Sequence, residues 1–141
     1  MMKRFMVLLM ATFIIGGCSA QEVTSEKSEY KSVTSDDNKE RNFKDVTSEE
    51  AIDMLTDPEI NILDVRSPEG FSEGHIPNAE SIPLKELEAS YSTLDKTKTY
   101  LIVCKAGKTS ETASTLLAEN GFENIYNLTG GMDRWTGEVI N

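Results

Sequence analysis

The sequence predicts an α/β fold in which a mainly parallel, five-stranded sheet is covered by helices on both faces. Two observations lead to this prediction. Short apolar segments of strand length alternate along the chain with segments whose apolar residues recur at helical spacing. One of the short segments, residues 101–103, is apolar without a break, as in a strand that is buried on both faces. Strands that alternate with helices are typical of a parallel sheet between two helical layers.

The predicted elements follow in order over residues 43–141, which are expected to form one domain with a single core. Strands are expected at residues 43–46, 60–65, 79–82, 100–103 and 124–127. Helices are expected from residue 47 or 48 to 55, from 84 to 91, from 109 or 110 to 120, and over the short segment 132–136. Thr47 and Glu50 have the spacing of a capping box at the first helix. Gly121 follows the third helix where a C-terminal glycine is expected.

Cys104 lies in the predicted loop 104–109, between the fourth strand and the third helix. Backbone amides of the turn and of the helix N-terminus point toward such a position, and the helix dipole adds about half a positive charge. Both effects favour an anion, so a thiolate or persulfide at this position is expected to be reactive. A buried, inert structural cysteine is the alternative that the position alone leaves open.

Four short motifs surround this cysteine in the sequence. They are Asp64-Val65-Arg66, Gly74-His75-Ile76-Pro77, the loop that starts at Cys104, and Leu128-Thr129-Gly130-Gly131 with Trp135 after it. In this order and at this spacing they resemble the rhodanese family over residues 43–139. The resemblance implies the rhodanese-like α/β fold and an activity of the thiosulfate sulfurtransferase type. In that family the loop cysteine, here Cys104, takes sulfane sulfur from a donor such as thiosulfate, becomes a persulfide, and passes the sulfur to cyanide or a thiol.

The resemblance also indicates which residues surround the sulfur. The segment expected to bind the donor consists of Lys105, Ala106, Gly107, Lys108, Thr109 and Ser110. Asp64 and Arg66 are expected to hold the end of their strand through an ion pair or backbone bonds, and His75 is expected to support its turn. Many family members carry arginine at the positions of Lys105 and Thr109. This departure keeps open the alternative of a sulfur carrier or partner-binding module without efficient turnover.

Other functions of a reactive cysteine fit the sequence less well. A phosphatase with a related loop needs an arginine six positions after the cysteine, where this chain has Ser110, and an arsenate reductase is disfavoured on similar grounds. A dithiol redox component of the cell envelope would need a second cysteine in the mature domain. No metal or other cofactor is expected, because the domain after residue 18 has one cysteine and one histidine, which provide too few ligands.

The N-terminus predicts export and a lipid anchor. Lys3 and Arg4 precede an almost wholly apolar run at residues 5–15, which has signal-peptide length and is too short to span a bilayer. Ile15-Gly16-Gly17-Cys18 resembles a bacterial lipobox, which implies a lipoprotein signal peptide at residues 1–17 and acylation of Cys18, for example with palmitate. An ordinary secretory signal is the alternative. Residues 18–42 are polar and read as a disordered linker. The domain is therefore expected at the bacterial cell membrane, outside the cytoplasm.

The charge of the chain limits its partners. The formal net charge is −10, and loss of Lys3 and Arg4 with the signal peptide would make it −12. Such acidity argues against nucleic acid. It also opposes the approach of anions, so Lys105 and Lys108 would have to attract a small anionic sulfur donor locally. The remaining expected partners are a thiol or cyanide acceptor, the membrane and an envelope protein, and the chain is expected to be a monomer.

Overall fold

The computed structural model describes residues 41–141, which contain five strands and four α-helices. The strands are β1 (Lys44–Val46), β2 (Ile60–Asp64), β3 (Ala79–Ser81), β4 (Thr99–Val103) and β5 (Asn124–Leu128). The α-helices are α1 (Ser48–Met54), α2 (Pro68–Ser72), α3 (Leu84–Ser90) and α4 (Lys108–Glu119). Two 3-10 helices occupy Tyr91–Thr93 and Gly131–Arg134. The predicted signal peptide, the acylated Cys18 and nearly all of the linker lie outside the described residues.

The strands form one parallel sheet in the order β1-β5-β4-β2-β3. The central strand β4 is covered on both faces, as its unbroken apolar run predicts, because Leu101, Ile102 and Val103 are fully buried. Because all strands run in the same direction, the loops that follow them meet at one edge of the sheet. Asp64 at the end of β2 therefore lies beside Val103 at the end of β4.

Each face of the sheet has its own hydrophobic core. On one face Ile102 packs with Leu87 of α3 and with Ala113 and Leu117 of α4. On the other face the core includes Ala51 of α1, Leu101, Val103 and Leu128. The predicted α/β class with helices on both faces is thus confirmed, and the burial of Ala113 and Leu117 agrees with the helical spacing in the sequence. Within residues 41–141, no helix has the length and apolar content that crossing a membrane requires.

The helix ends show where local sequence signals succeed. Thr47 caps α1 by accepting a hydrogen bond from the Glu50 amide, while the Glu50 carboxylate accepts one from the Thr47 amide, so the predicted capping box is present. The predicted end of α4 is also confirmed, since Asn120 caps it and Gly121 follows with a φ of +88°.

Two local predictions need correction, and one helix was missed. Helix α4 begins at Lys108, one or two residues earlier than predicted, because Gly107 adopts a φ of +95° and serves as its N-cap. Helix α2 was not predicted, although Ser67 caps it and Pro68 occupies its first turn. Its five residues are too short to show apolar periodicity. The predicted helix over 132–136 is instead the 3-10 helix Gly131–Arg134.

Candidate active site

The sulfur of Cys104 lies at the end of β4, in a loop that closes around it. Only 3% of the residue is exposed, and it is a free cysteine. The amide of Gly107 donates a hydrogen bond to Sγ over 3.0 Å. Gly107 can turn its amide in this way because its φ of +95° lies in the left-handed region, which glycine adopts without a steric penalty. One predicted amide donor thus contacts the sulfur directly.

The 3-10 helix Gly131–Arg134 holds the rest of the loop through two backbone hydrogen bonds. The amide of Met132 donates to the carbonyl of Cys104 over 2.8 Å, and the amide of Asp133 donates to the carbonyl of Lys105 over 2.9 Å. In a planar trans peptide the N–H points away from the C=O. Anchoring these two carbonyls therefore turns the amides of Lys105 and Ala106 away from the 3-10 helix. The loop amides are fixed by hydrogen bonds to residues that lie 28 positions later in the sequence.

Ser110 provides a second polar contact to the sulfur. The thiol of Cys104 donates to the Ser110 Oγ over 3.3 Å, and that hydroxyl donates to the carbonyl of Gly107 over 3.1 Å. Ser110 is fully buried. A hydroxyl can either donate or accept, so rotation about its C–O bond would let Ser110 donate to an anionic sulfur instead. Its position in the first turn of α4 also places the positive end of the helix dipole beside Cys104.

The other predicted loop residues face solvent. Lys105, Ala106, Lys108 and Thr109 are all exposed, and Gly107 is partly buried. In the part of the chain that the structure describes, neither Lys105 nor Lys108 has a carboxylate partner within ion-pair distance. The charges of both ammonium groups are therefore not neutralised by a paired carboxylate of the described region.

Asp64 and Arg66 form the predicted ion pair. Two guanidinium nitrogens of Arg66 bind the carboxylate of Asp64, with a shortest distance of 2.7 Å, and one of them also donates to the carbonyl of Gly74 over 2.8 Å. The side chains are only 1% and 11% exposed. The pair joins the end of β2, next to the end of β4, to the turn that precedes His75. Its polar contacts are structural, and within residues 41–141 no hydrogen bond or ion pair joins Asp64 or Arg66 to Cys104.

His75 also has structural contacts. Its Nδ1 lies 3.0 Å from the carbonyl of Phe71, its ring stacks on the Phe71 ring at 3.7 Å between centroids, and its backbone pairs with Ile140. These contacts agree with the predicted supporting role. Within residues 41–141, no group of three or more His, Cys, Asp and Glu side chains is placed to hold a metal ion.

Gly131 is a site residue whose role the sequence did not reveal. A Cβ atom at this position would lie 2.3 Å from the carbonyl oxygen of Cys104 and 2.6 Å from that of Lys105. Gly131 also has a φ of +55°. The absence of a side chain is what lets the 3-10 helix reach the loop carbonyls. Two adjacent glycines at 130 and 131 are typical of a turn, but no local signal indicates that this turn packs against the cysteine loop.

Comparison with known proteins identifies the family. The model of the family described as the rhodanese-like domain matches residues 47–138. The chain belongs to the rhodanese-like family. Among solved structures, a rhodanese-like domain protein from Staphylococcus aureus has a TM-score of 0.61 and 33% identity, covering 67% of this chain and 93% of that one. A Staphylococcus saprophyticus protein has a TM-score of 0.64 and 32% identity, covering 70% and 99%.

Two curated relatives of this rhodanese-like chain are named for sulfur chemistry. The thiosulfate sulfurtransferase GlpE of Coxiella burnetii is 32% identical over 93 residues, which cover 66% of this chain and 87% of that protein. YrkF of Bacillus subtilis, provisionally named a sulfur carrier protein, is 37% identical over 84 residues, which cover 60% of this chain. The match spans only 45% of YrkF. Together these relatives support a role in sulfur transfer for the rhodanese-like domain.

Proposed function

We propose that this protein is a sulfurtransferase that carries sulfane sulfur as a persulfide on Cys104. The observation that carries the proposal is the position of Sγ at the end of β4, within hydrogen-bond distance of the Gly107 amide and the Ser110 hydroxyl. These donors, together with the dipole of α4, favour the anionic sulfur that both halves of the reaction need. Membership of the rhodanese-like family points to the same chemistry.

In the first half-reaction the thiolate of Cys104 attacks the outer sulfur of thiosulfate or of a persulfide donor. An S–S bond forms between Sγ and that sulfur, and the bond to the leaving group breaks. With thiosulfate, sulfite leaves with the electron pair. In the second half-reaction cyanide or a thiolate attacks the outer sulfur of the Cys104 persulfide, thiocyanate or a new persulfide is released, and the thiolate of Cys104 returns. No outside oxidant or reductant is needed.

The loop residues have distinct roles in this proposal. The amides of Lys105 and Ala106 point away from the 3-10 helix Gly131–Arg134, so they can donate to the outer sulfur of the persulfide. The amides of Lys108 and Thr109 can do the same, because first-turn amides of a helix have no intrahelical partner. The side chains of Lys105 and Lys108 attract the anionic donor. Lysine lacks the planar fork of arginine, so the donor is held less specifically than by a guanidinium.

The second candidate is a sulfur carrier that loads sulfur but turns over slowly. Two substitutions favour the carrier function, because this chain has Lys105 and Thr109 at positions where many family members have arginine. The relative YrkF is also named as a carrier. Both candidates place the sulfur on Cys104. They differ in whether release to a small acceptor is efficient, which a steady-state assay with thiosulfate and cyanide measures.

We also propose that the chain is a lipoprotein, with cleavage before Cys18, acylation of that residue and a domain that faces away from the cytoplasm on a linker. The basis is Lys3-Arg4, the apolar run and the lipobox-like Ile15–Cys18 segment of the sequence. Incorporation of labelled palmitate, and its loss in a Cys18→Ala variant, tests this. An envelope protein that exchanges sulfur with Cys104 would then be the physiological partner.

The decisive experiment is the intact mass of the soluble domain, starting near residue 42, before and after addition of thiosulfate. We expect a gain of one sulfur that is absent from Cys104→Ser and that cyanide removes with release of thiocyanate. A folded domain whose thiol gains no sulfur would refute sulfur transfer and leave a partner-binding module. A sulfur adduct that cyanide removes only slowly would favour the carrier over the enzyme.

A further inference from the structure

An open cavity of about 560 Å³ adjoins the cysteine loop on the side of β1 and β5. Its lining includes Glu49, Ala106, Thr129, Gly130, Arg134 and Thr136. Ala106 belongs to the loop itself and lies two residues after Cys104. The volume falls within the range of roughly 300–1,000 Å³ that is usual for small-molecule sites. The cavity is therefore large enough for a small reactant and borders the loop that holds Cys104.

Arg134 places a guanidinium group at this cavity. Its side chain lies over the backbone of Gly130, since a Cβ atom on Gly130 would come within 2.5 Å of the Arg134 Cδ. Gly130 itself adopts a φ of +77°, in the left-handed region that favours glycine. Within residues 41–141, Arg134 has neither an ion pair nor a side-chain hydrogen bond, although the chain has a large excess of carboxylates. An arginine held by packing but left without an anion has its bidentate donors free for a ligand.

Glu49 contributes the opposite charge. It lines the same cavity, it is exposed, and no basic side chain of the described region lies within ion-pair distance of it. The nearby hydroxyl groups are already engaged, because Ser48 and Thr136 bind each other and Thr129 donates to the carbonyl of Val46. The two charged groups thus dominate the binding chemistry. A simple dianion such as thiosulfate would be repelled by Glu49, whereas a ligand with both an ammonium and a carboxylate group complements both Glu49 and Arg134.

We propose that this cavity binds the sulfur acceptor, and that the acceptor is a small amino-acid or peptide thiol. Its carboxylate binds Arg134, its ammonium group binds Glu49, and its sulfur reaches the Cys104 loop past Ala106. The inference rests on the proposed function. In the step itself the acceptor thiolate forms an S–S bond to the outer sulfur of the Cys104 persulfide, the bond from that sulfur to Sγ breaks, and Cys104 leaves as a thiolate. Arg134 and Glu49 are therefore binding residues that determine acceptor specificity.

Four thiols test the proposal with the full chain loaded from thiosulfate. Cysteine has both charged groups, N-acetylcysteine has only the carboxylate, cysteamine has only the ammonium, and 2-mercaptoethanol has neither. Loss of a charged hydrogen-bonded contact at an exposed site corresponds to a decrease of about tenfold in affinity or in kcat/KM. We expect Arg134→Gln to lower the ratio of kcat/KM for cysteine to that for cysteamine by about tenfold. We expect Glu49→Gln to lower the ratio for cysteine to that for N-acetylcysteine by a similar factor. Comparing ratios between variants cancels the intrinsic reactivity of each thiol.

Lys85→Gln is the matched control, because Lys85 is an exposed cation on α3, which packs on the opposite face of the sheet from α1. It removes one positive charge and should leave both ratios unchanged. The proposal would be overturned if the kcat/KM ratios of Arg134→Gln and Glu49→Gln equalled those of the native chain. It would also be overturned if Lys85→Gln changed these ratios by the same factor.

A binding measurement separates failure of this inference from failure of the proposed function. If the native chain transfers sulfur to no acceptor, sulfur transfer itself is refuted, and the cavity is tested with S-methylcysteine, which cannot react. We expect Arg134→Gln to weaken binding of S-methylcysteine about tenfold relative to the native chain. Equal binding by the two proteins, or no binding to either, would overturn the assignment of the cavity.

Discussion

Gly131→Ala tests whether the 3-10 helix sets the geometry of the cysteine loop. The new Cβ would lie 2.3 Å from the carbonyl oxygen of Cys104, so this carbonyl has to move by about 0.7 Å before the contact reaches 3.0 Å. Backbone at φ +55° adds about 1–2 kcal/mol for a residue with a Cβ. Overpacking against backbone adds about 1–3 kcal/mol. We therefore expect a loss of about 2–5 kcal/mol in the free energy of unfolding, measured by urea denaturation.

Gly121→Ala is the matched control because it separates the two effects. Gly121 has a φ of +88°, but a Cβ there would meet only the end of the Lys96 side chain, at 3.9 Å. We expect it to cost about 1–2 kcal/mol and to leave the rate of Cys104 alkylation by iodoacetamide unchanged. In Gly131→Ala we expect that rate to change about tenfold, because the loop amides turn with the carbonyls. Equal losses of stability and equal alkylation rates in the two variants would refute the reasoning.

Three further predictions concern single contacts. Arg66→Met should cost about 3–5 kcal/mol in urea unfolding, because it leaves the carboxylate of Asp64 buried without a partner, and a loss below about 1 kcal/mol would contradict this. Hydrogen bonds from the backbone and side chain of Thr47 hold the pKa of Glu50 below its ordinary value. The stability that these hydrogen bonds contribute is therefore present above the unfolded-state pKa of Glu50 and is lost as the pH falls through its folded-state pKa. Glu50→Gln should therefore reduce the decline of stability between pH 6 and pH 3, about the range in which glutamate titrates, and an unchanged decline would argue against it. Ser110→Ala should slow sulfur uptake from thiosulfate, followed by intact mass, about tenfold through loss of a hydrogen bond to a charged sulfur, whereas an unchanged rate would show that the hydroxyl does not contact the reacting anion.

The features that could be predicted from the sequence are those that depend on neighbouring residues. The capping box of Thr47 and Glu50, the buried run in β4 and the glycine after α4 all follow from patterns within a few positions. The position of Cys104 at the end of a strand was also available, and so was the pairing of Asp64 with Arg66, which are two residues apart. Local signals of this kind were sufficient to predict the fold class.

The features that could not be predicted depend on contacts between distant segments. The start of α4 follows from the φ of Gly107, whose close approach to Gly130 leaves no room for a Cβ. The hydrogen bond from Met132 to the Cys104 carbonyl joins residues that lie 28 positions apart, and the same number of positions separates Arg134 from Ala106, which lines the same cavity. No periodicity or spacing in the sequence records such contacts, because each depends on how the turn after β5 packs against the loop after β4.

The anchoring of the loop by Gly131–Arg134 also constrains the order in which the site is assembled. During synthesis Cys104 is made before the segment that orients its loop, so a chain that ended before the 3-10 helix would contain the thiol but not its arranged amides. Cys104 would then lack the orientation of the Lys105 and Ala106 amides that the 3-10 helix imposes. We therefore expect the proposed reactivity toward sulfur donors to be complete only in the finished domain, and cleavage between β5 and the 3-10 helix Gly131–Arg134 to lower it without altering any residue that touches the sulfur.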